Sequence, residues 1–351
     1  MSGITRRTFL ANGTTVAAGL AIPSATALAQ TPLTDTKRTR IDVHHHVLPK
    51  RWIDEARAHK PDNTWPPAVV NWTPQTSIAE MDRYGVETAI TSLGLPGVWW
   101  AAPPDARRIA RYCNEYNAQM LHDYPGRFGM LATVPLPDVE GTLMEIAYAL
   151  DVLHADGIGL LTSYGDRWPG DPAFAAVFDE LNRRKAVVHF HPTVPNCCTT
   201  LMPGVSAATE EYLFDTSRAI TSLLFNGTFT RCPDINYIFS HAGGAFPPLA
   251  HRIVSEIIRN KTLLARYPNG PDEELSKLYF DTATSVSAPT FQAVRNLTST
   301  EHLLLGTDLP YLPMSETIPG LDALGLSPSD ARAINTGNAL RLFPRLRRFV
   351  S

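Results

Sequence analysis

The chain has only four cysteines in 351 residues, Cys113, Cys197, Cys198 and Cys232, and no C-x-x-C spacing among them. That argues against thiolate ligation of zinc. The adjacent Cys197 and Cys198 do not easily bridge each other. A bridge from this pair to Cys232 or Cys113 stays open, and free, partly buried thiols are the expectation. Charge of one sign is equally scarce. The formal net charge is −3 and no block of like charge occurs, which argues against a nucleic-acid surface or a polybasic membrane patch. No apolar run is long enough for a stable membrane span. A G-x-S-x-G elbow, a Walker loop and a G-x-G-x-x-G turn are all missing, so serine-hydrolase chemistry and a nucleotide site lack support. There is no internal repeat, linker or low-complexity segment. What remains is ordinary globular composition, 44% hydrophobic and 19% charged.

The first thirty residues read differently from the rest. Arg6 and Arg7 precede Phe9 and Leu10, the mildly apolar "TTVAAGLAI" follows, and Ala27-Leu28-Ala29 offers an A-x-A cleavage site. This is the layout of an export signal, and the arginine pair makes it resemble a twin-arginine one. The expectation is a signal peptide over 1–29, a mature domain over 30–351, and a periplasmic location without a membrane anchor.

From about residue 39 onward, short apolar runs alternate with amphipathic stretches. "RIDVH", "ETAITSL", "FGMLATV", "GIGLLTS", "AVVHFHP", "INYIFSH", "LYFDTAT" and "HLLLGTD" read as buried parallel strands. Helical patterns separate them, with Asp105, Asp171 and Ser327 near helix starts and Gly157 as a helix stop. Eight strand–helix units predict an α/β fold, a (β/α)₈ TIM barrel in one domain. A doubly wound open sheet is the alternative. The longer connections, 49–75, 193–206 and 309–325, follow strands and so fall where barrels build their sites.

Histidine is where the chemistry concentrates. In "IDVHHHVLP", strand alternation puts His44 and His46 on one face and His45 on the other, toward the helices. His189 and His191 share a face at the end of the fifth strand, His241 ends the sixth, and Asp308 ends the eighth. In a closed barrel these groups meet at one rim. Two or three imidazoles and a carboxylate, with a coordination position left open, describe a catalytic zinc site. The residues alone do not say whether His241 is a ligand. His189 lies one layer deeper than His191 and reads as an interior or supporting histidine.

The stretches "IDVHHHVLP", "VVHFHP", "SHAGGAFPPLAHRI" and "LLLGTDLPY" resemble the metal-dependent amidohydrolase superfamily across the mature chain. The likeness is to the branch of aminocarboxymuconate-semialdehyde decarboxylase and the aromatic-acid decarboxylases, with "PGVWW" and "GLLTSYGDRWPGDPAFAAVFDELNRRKAVV" similar to 6-methylsalicylate decarboxylases. The resemblance implies His44, His46, His191 and Asp308 as ligands of one divalent ion, and three nitrogens with one oxygen suit zinc first and manganese second. It implies His241 as an acid/base beside the metal, and Arg252 as a substrate-carboxylate contact reaching in from the partner of a homodimer. "LLTSY" after strand four holds no bridging lysine, which favours one metal. Asp281 lies outside the implied ligand set and reads as structural. The stretch "PDNTWPPAVVNWTPQTSI" in the loop after strand one has no arginine to match the second one of dicarboxylate-cleaving relatives.

These features favour a small aromatic monocarboxylic acid of hydroxybenzoate or 6-methylsalicylate type, held by apolar walls for which Trp65, Trp99, Trp100 and Tyr311 are candidates. The implied reaction is non-oxidative decarboxylation with His241 or Asp308 delivering the proton. The alternatives are hydrolysis of a lactone, ester or amide on the same rim, and a non-catalytic periplasmic binding protein.

Overall fold

The computed structural model describes residues 39–59, 65–199 and 202–350. The expected signal segment, 1–29, lies outside the described residues. Eight parallel strands run in chain order around one sheet: β1 Arg40–Val47, β2 Val86–Leu93, β3 Phe128–Thr133, β4 Gly157–Leu161, β5 Val187–His191, β6 Asn236–Phe239, β7 Tyr279–Asp281 and β8 Leu303–Leu304. Each pairs with its sequence neighbour. The last strand closes on the first through Val43 N–H to the Leu305 carbonyl, Asp308 N–H to the His44 carbonyl and His46 N–H to the Leu309 carbonyl, each 2.8 Å. The fold is a (β/α)₈ barrel, and the open-sheet alternative falls with that closure.

The barrel interior has two layers. At the amino ends of the strands, Ile41, Ile90, Leu131, Val187, Ile238 and Leu304 form a dry plug, sealed by Phe343 and Leu346 from the C-terminal segment. Burying apolar surface of this kind contributes about 25 cal/mol per Å² removed from water. At the carboxyl ends the same inward positions carry histidines, aspartates and serines. The outer ring is amphipathic helix. Helices Pro103–Asp123, Val139–Asp151, Glu211–Asn226 and Phe246–Arg259 turn Ile109, Ile146, Leu223 and Val254 inward.

Three local expectations need correcting. Gly157 does not stop a helix. The preceding helix ends at Asp151, and Gly157 opens β4, where a Cβ would lie 2.4 Å from the Val187 carbonyl oxygen. Asp105 is not a cap. Ala102 holds that position and Asp105 sits in the first turn, where its charge suits the helix dipole. Connection 49–75 is not a plain loop, because Lys50–His59 is a helix with Trp52, Ile53 and Ala56 buried. Asp171 and Ser327 do cap, accepting from Ala173 N–H at 2.9 Å and Asp330 N–H at 3.1 Å. The cysteines are free: Cys113, Cys198 and Cys232 buried, Cys197 exposed. Among the described residues no helix is long and apolar enough to cross a membrane.

Candidate metal centre

The strand pattern of β1 is interrupted between Asp42 and His45, where its pairing with β2 shifts register. Such a shift re-aims side chains at a barrel rim. Asp42 fixes the new path. Its Oδ1 accepts from His44 N–H and Thr307 N–H, both at 3.0 Å, while Oδ2 accepts from the Thr307 hydroxyl at 2.6 Å and faces His45 Nδ1 at 3.0 Å. His45 then points into the helix layer, its Nε2 2.8 Å from Ser77 Oγ. His44 and His46 point to the barrel axis instead.

Four side chains converge there. Asp308 Oδ1 lies 2.9 Å from His46 Nε2, 3.3 Å from His44 Nε2 and 3.9 Å from His191 Nε2. The donor atoms of His44, His46, His191 and Asp308 all fall within 4.8 Å of one another, and all four residues are buried. The carboxylate's other oxygen faces elsewhere: Asp308 Oδ2 is 3.5 Å from His241 Nε2. Asp308 has φ 68°, and His241 and Ala242 have φ 53° and 55°, left-handed values unusual for residues other than glycine. Backbone strain of this kind, about 1–3 kcal/mol per residue, gathers at working sites.

Supporting contacts set which nitrogen of each ring is bare. His44 Nδ1–H donates to Asp281 Oδ2 at 3.0 Å, and His191 Nδ1–H donates to the Pro192 carbonyl at 2.9 Å. In the neutral form of each ring that puts the lone pair on Nε2, which in both is buried and without a hydrogen-bond partner among the described residues. Asp281 is saturated: Oδ2 also takes His189 Nε2–H at 3.0 Å, and Oδ1 takes the backbone N–H of His241 and Ala283, each at 3.0 Å. Gly306 makes room for this cluster, since a Cβ there would come within 2.8 Å of His44 Cβ and 2.9 Å of Asp281 Cβ.

The electrostatics call for a cation at this point. Burial opposes charge on His44, but Asp281 and Asp308 outweigh it and raise its pKa to about 10. Burial lowers His46, and it lowers His191 to about 3, so both rings present neutral lone pairs. Burial opposes ionisation of Asp308 too, yet the surrounding imidazoles, His44 foremost, hold it well below the usual carboxylate range. Three nitrogens and one oxygen around a spot that favours positive charge fit one divalent ion.

A model of the amidohydrolase family matches residues 41–345, from the first strand through the C-terminal segment. The chain belongs to the amidohydrolase family. It is 35% identical over 325 residues to the decarboxylase yanB of Aspergillus niger, covering 87% of this chain and 88% of that protein. It is 33% identical over 320 residues to the 6-methylsalicylic acid decarboxylase of Penicillium expansum, covering 88% and 97%. Among solved structures, an amidohydrolase II superposes with TM-score 0.80 at 26% identity over 87% of this chain and 99% of its own. The 5-carboxyvanillate decarboxylase of Sphingomonas paucimobilis shares the fold with TM-score 0.79 at 23% identity, covering 88% and 99%.

In this amidohydrolase, the pocket beside the four donors opens between the carboxyl ends of β2 to β5. Its walls include Leu93, Val98, Trp99, Val134, Leu161 and Tyr164, and His191 borders it. Of the residues the sequence proposed for substrate contact, Trp99 lines this pocket. Trp100 does not: its indole N–H donates to the Gly97 carbonyl at 3.0 Å and its ring stacks on His59. Tyr311 packs edge-on against His46 with ring centres 5.0 Å apart, whereas Trp65 packs on Trp52. Arg252 is exposed on the helix Phe246–Arg259 and does not line the pocket of its own chain. Sequence reasoning gave Asp281 only a structural part, and missed that it orients His44 and His189. It also missed Ser92, which lines the pocket from the end of β2. The signal for both was available, because each lies at the carboxyl end of a barrel strand.

Proposed function

We propose that this amidohydrolase is a metal-dependent, non-oxidative decarboxylase of a small aromatic carboxylic acid, releasing CO₂. Its relatives include 6-methylsalicylic acid decarboxylases, and the pocket beside the donors is largely apolar. The observation that carries the reading is the division of labour at Asp308, one oxygen toward three imidazole nitrogens and the other toward His241.

His44, His46, His191 and Asp308 are the ligands in this proposal, and zinc is the favoured ion, with manganese second. Two solved decarboxylases of the same fold carry manganese. A bound ion would supply positive charge that orients the acid and favours its ionised oxygens. The chain's own groups do the rest. The walls around Trp99, Val134 and Leu161 hold the ring and limit water. His241 Nε2, adjacent to Asp308 Oδ2, delivers a proton to the ring carbon that bears the carboxylate. The C–C bond then breaks, its electron pair restores the aromatic ring, and CO₂ departs. Positioned proton transfer of this kind contributes roughly 10²–10⁴ in rate. Arg252 is assigned to the carboxylate of a substrate bound in the partner subunit of a homodimer, where its planar fork suits the group.

Residues 1–29 are proposed as a twin-arginine signal and 30–351 as the mature periplasmic domain, on the strength of the sequence layout alone. Replacing Arg6 and Arg7 together by lysine should block export.

The deciding assay is CO₂ release by purified, metal-loaded protein across a panel of 2-hydroxybenzoic acids. Release from at least one acid, with the matching phenol as co-product, is expected. Opening of a lactone or ester with no gas from any acid would overturn the reading in favour of a hydrolase.

A further inference from the structure

The pocket has a polar inner end that the proton-transfer chemistry does not use. Ser92 from β2 and His189 from β5 both line it. Ser92 is 5% exposed and His189 is fully buried. Neither Ser92 Oγ nor His189 Nδ1 finds a hydrogen-bond partner among the described residues. Buried polar atoms are ordinarily paired, so two unpaired ones lining one cavity point to a ligand. Gly159, the partner of His189 in the β4–β5 ladder, also lines the pocket beside Ser92. A Cβ there would approach Ser92 Cβ at 3.6 Å.

The role of His189 is fixed by its carboxylate contact. His189 spends Nε2–H on Asp281, so its Nδ1 is left as an acceptor. Ser92 offers a hydroxyl that can donate. A group satisfying both must donate to nitrogen and also bond the serine hydroxyl, which can donate or accept, as a phenolic hydroxyl does. A methyl group can do neither and would leave both atoms unpaired. The place is close to the metal donors: the His189 and His44 rings are 4.9 Å apart, and the His44 and His191 rings 5.1 Å. A ring whose carboxylate lies at the donors can therefore bring a nearby substituent to Ser92 and His189.

We propose that Ser92 and His189 form a specificity subsite for a second hydroxyl on the aromatic ring. This rests on the decarboxylase reading for the identity of the ring. The preferred substrate class is then a dihydroxybenzoic acid, with the methyl-substituted hydroxybenzoic acid disfavoured.

The test uses binding, so that it does not depend on turnover. Resorcinol and 3-methylphenol differ by hydroxyl against methyl, and each is the phenol left by decarboxylation of the corresponding acid. Calorimetric titration of the metal-loaded protein should show resorcinol binding at least about tenfold tighter. Ser92→Ala removes a hydroxyl that holds nothing in the protein. It should keep the metal content, read by elemental analysis, and bring the ratio to near one. His189→Phe, which keeps a ring in place, should do the same to the ratio. Equal binding of the two phenols, tighter binding of 3-methylphenol, binding of neither, or a ratio untouched by Ser92→Ala would each overturn the subsite. So would equal affinity with a fixed water bridging Ser92 and His189 in the complex. CO₂ release without discrimination would sink the subsite alone. Discrimination without CO₂ release would sink the decarboxylase reading and leave a phenol-binding site.

Discussion

His44 Nδ1 and Asp281 Oδ2 are 3.0 Å apart, and that bond decides which face of the imidazole is offered to the barrel axis. Without it the proton could sit on either nitrogen. Asp281→Asn keeps the shape but replaces one carboxylate oxygen with an amide. Metal affinity should fall roughly 10–100-fold, the usual effect of losing a carboxylate behind a ligating histidine. Competition with a metal-sensitive dye would measure it, and unchanged affinity would show that His44 is not a ligand.

Removing the metal should destabilise the fold as well as silence the enzyme. Stripping with a chelator leaves His44 between two carboxylates without the ion. An ion present at a thousandfold excess over its Kd stabilises the native state by about 4 kcal/mol. Thermal unfolding of stripped and reloaded protein should differ accordingly. Parallel reloading with zinc and with manganese, scored by CO₂ release, would tell which ion the site favours in function.

His241→Asn should lower kcat by roughly 10²–10⁴ and leave the bound metal at one per chain. Elemental analysis beside steady-state kinetics separates the two effects. Loss of metal in this variant would instead make His241 a ligand.

Arg252 is exposed and outside its own chain's pocket, which gives a clean test by mixing. Arg252→Ala and His241→Asn proteins should each be nearly inactive. Unfolded together and refolded as a mixture, they should regain activity, because in the proposed homodimer one subunit would have an intact His241 and receive an intact Arg252 from its partner. Failure to regain activity, with mixed dimers demonstrated, would remove Arg252 from the site.

Much of the barrel was legible because parallel strands buried on both faces read as short apolar runs. Each of the eight runs quoted from the sequence overlaps a strand. The donors were legible for a related reason: H-x-H places two side chains on one face, and His44, His46, His191 and Asp308 do come within reach of one another. What escaped was everything set by partners distant in sequence. Asp281 lies 237 residues from His44, and only barrel closure joins them. Ser92 is an unremarkable serine until Gly159 and His189 enclose it. The helix Lys50–His59 was hidden by the prolines and tryptophans after it, and Gly157 misled because a crowded barrel interior demands glycine as strongly as a helix terminus does.

His46 and Asp308 stand 262 residues apart in the chain yet meet at 2.9 Å. A nascent polypeptide therefore exposes its first histidines long before the carboxylate that completes their set has been synthesised. With the ligand set proposed above, capture of the ion would await the docking of the final strand. On that ligand set, a product truncated before the strand would be born without a holding site, however well its earlier portions fold, and metal occupancy would double as a report that the eighth strand is in place.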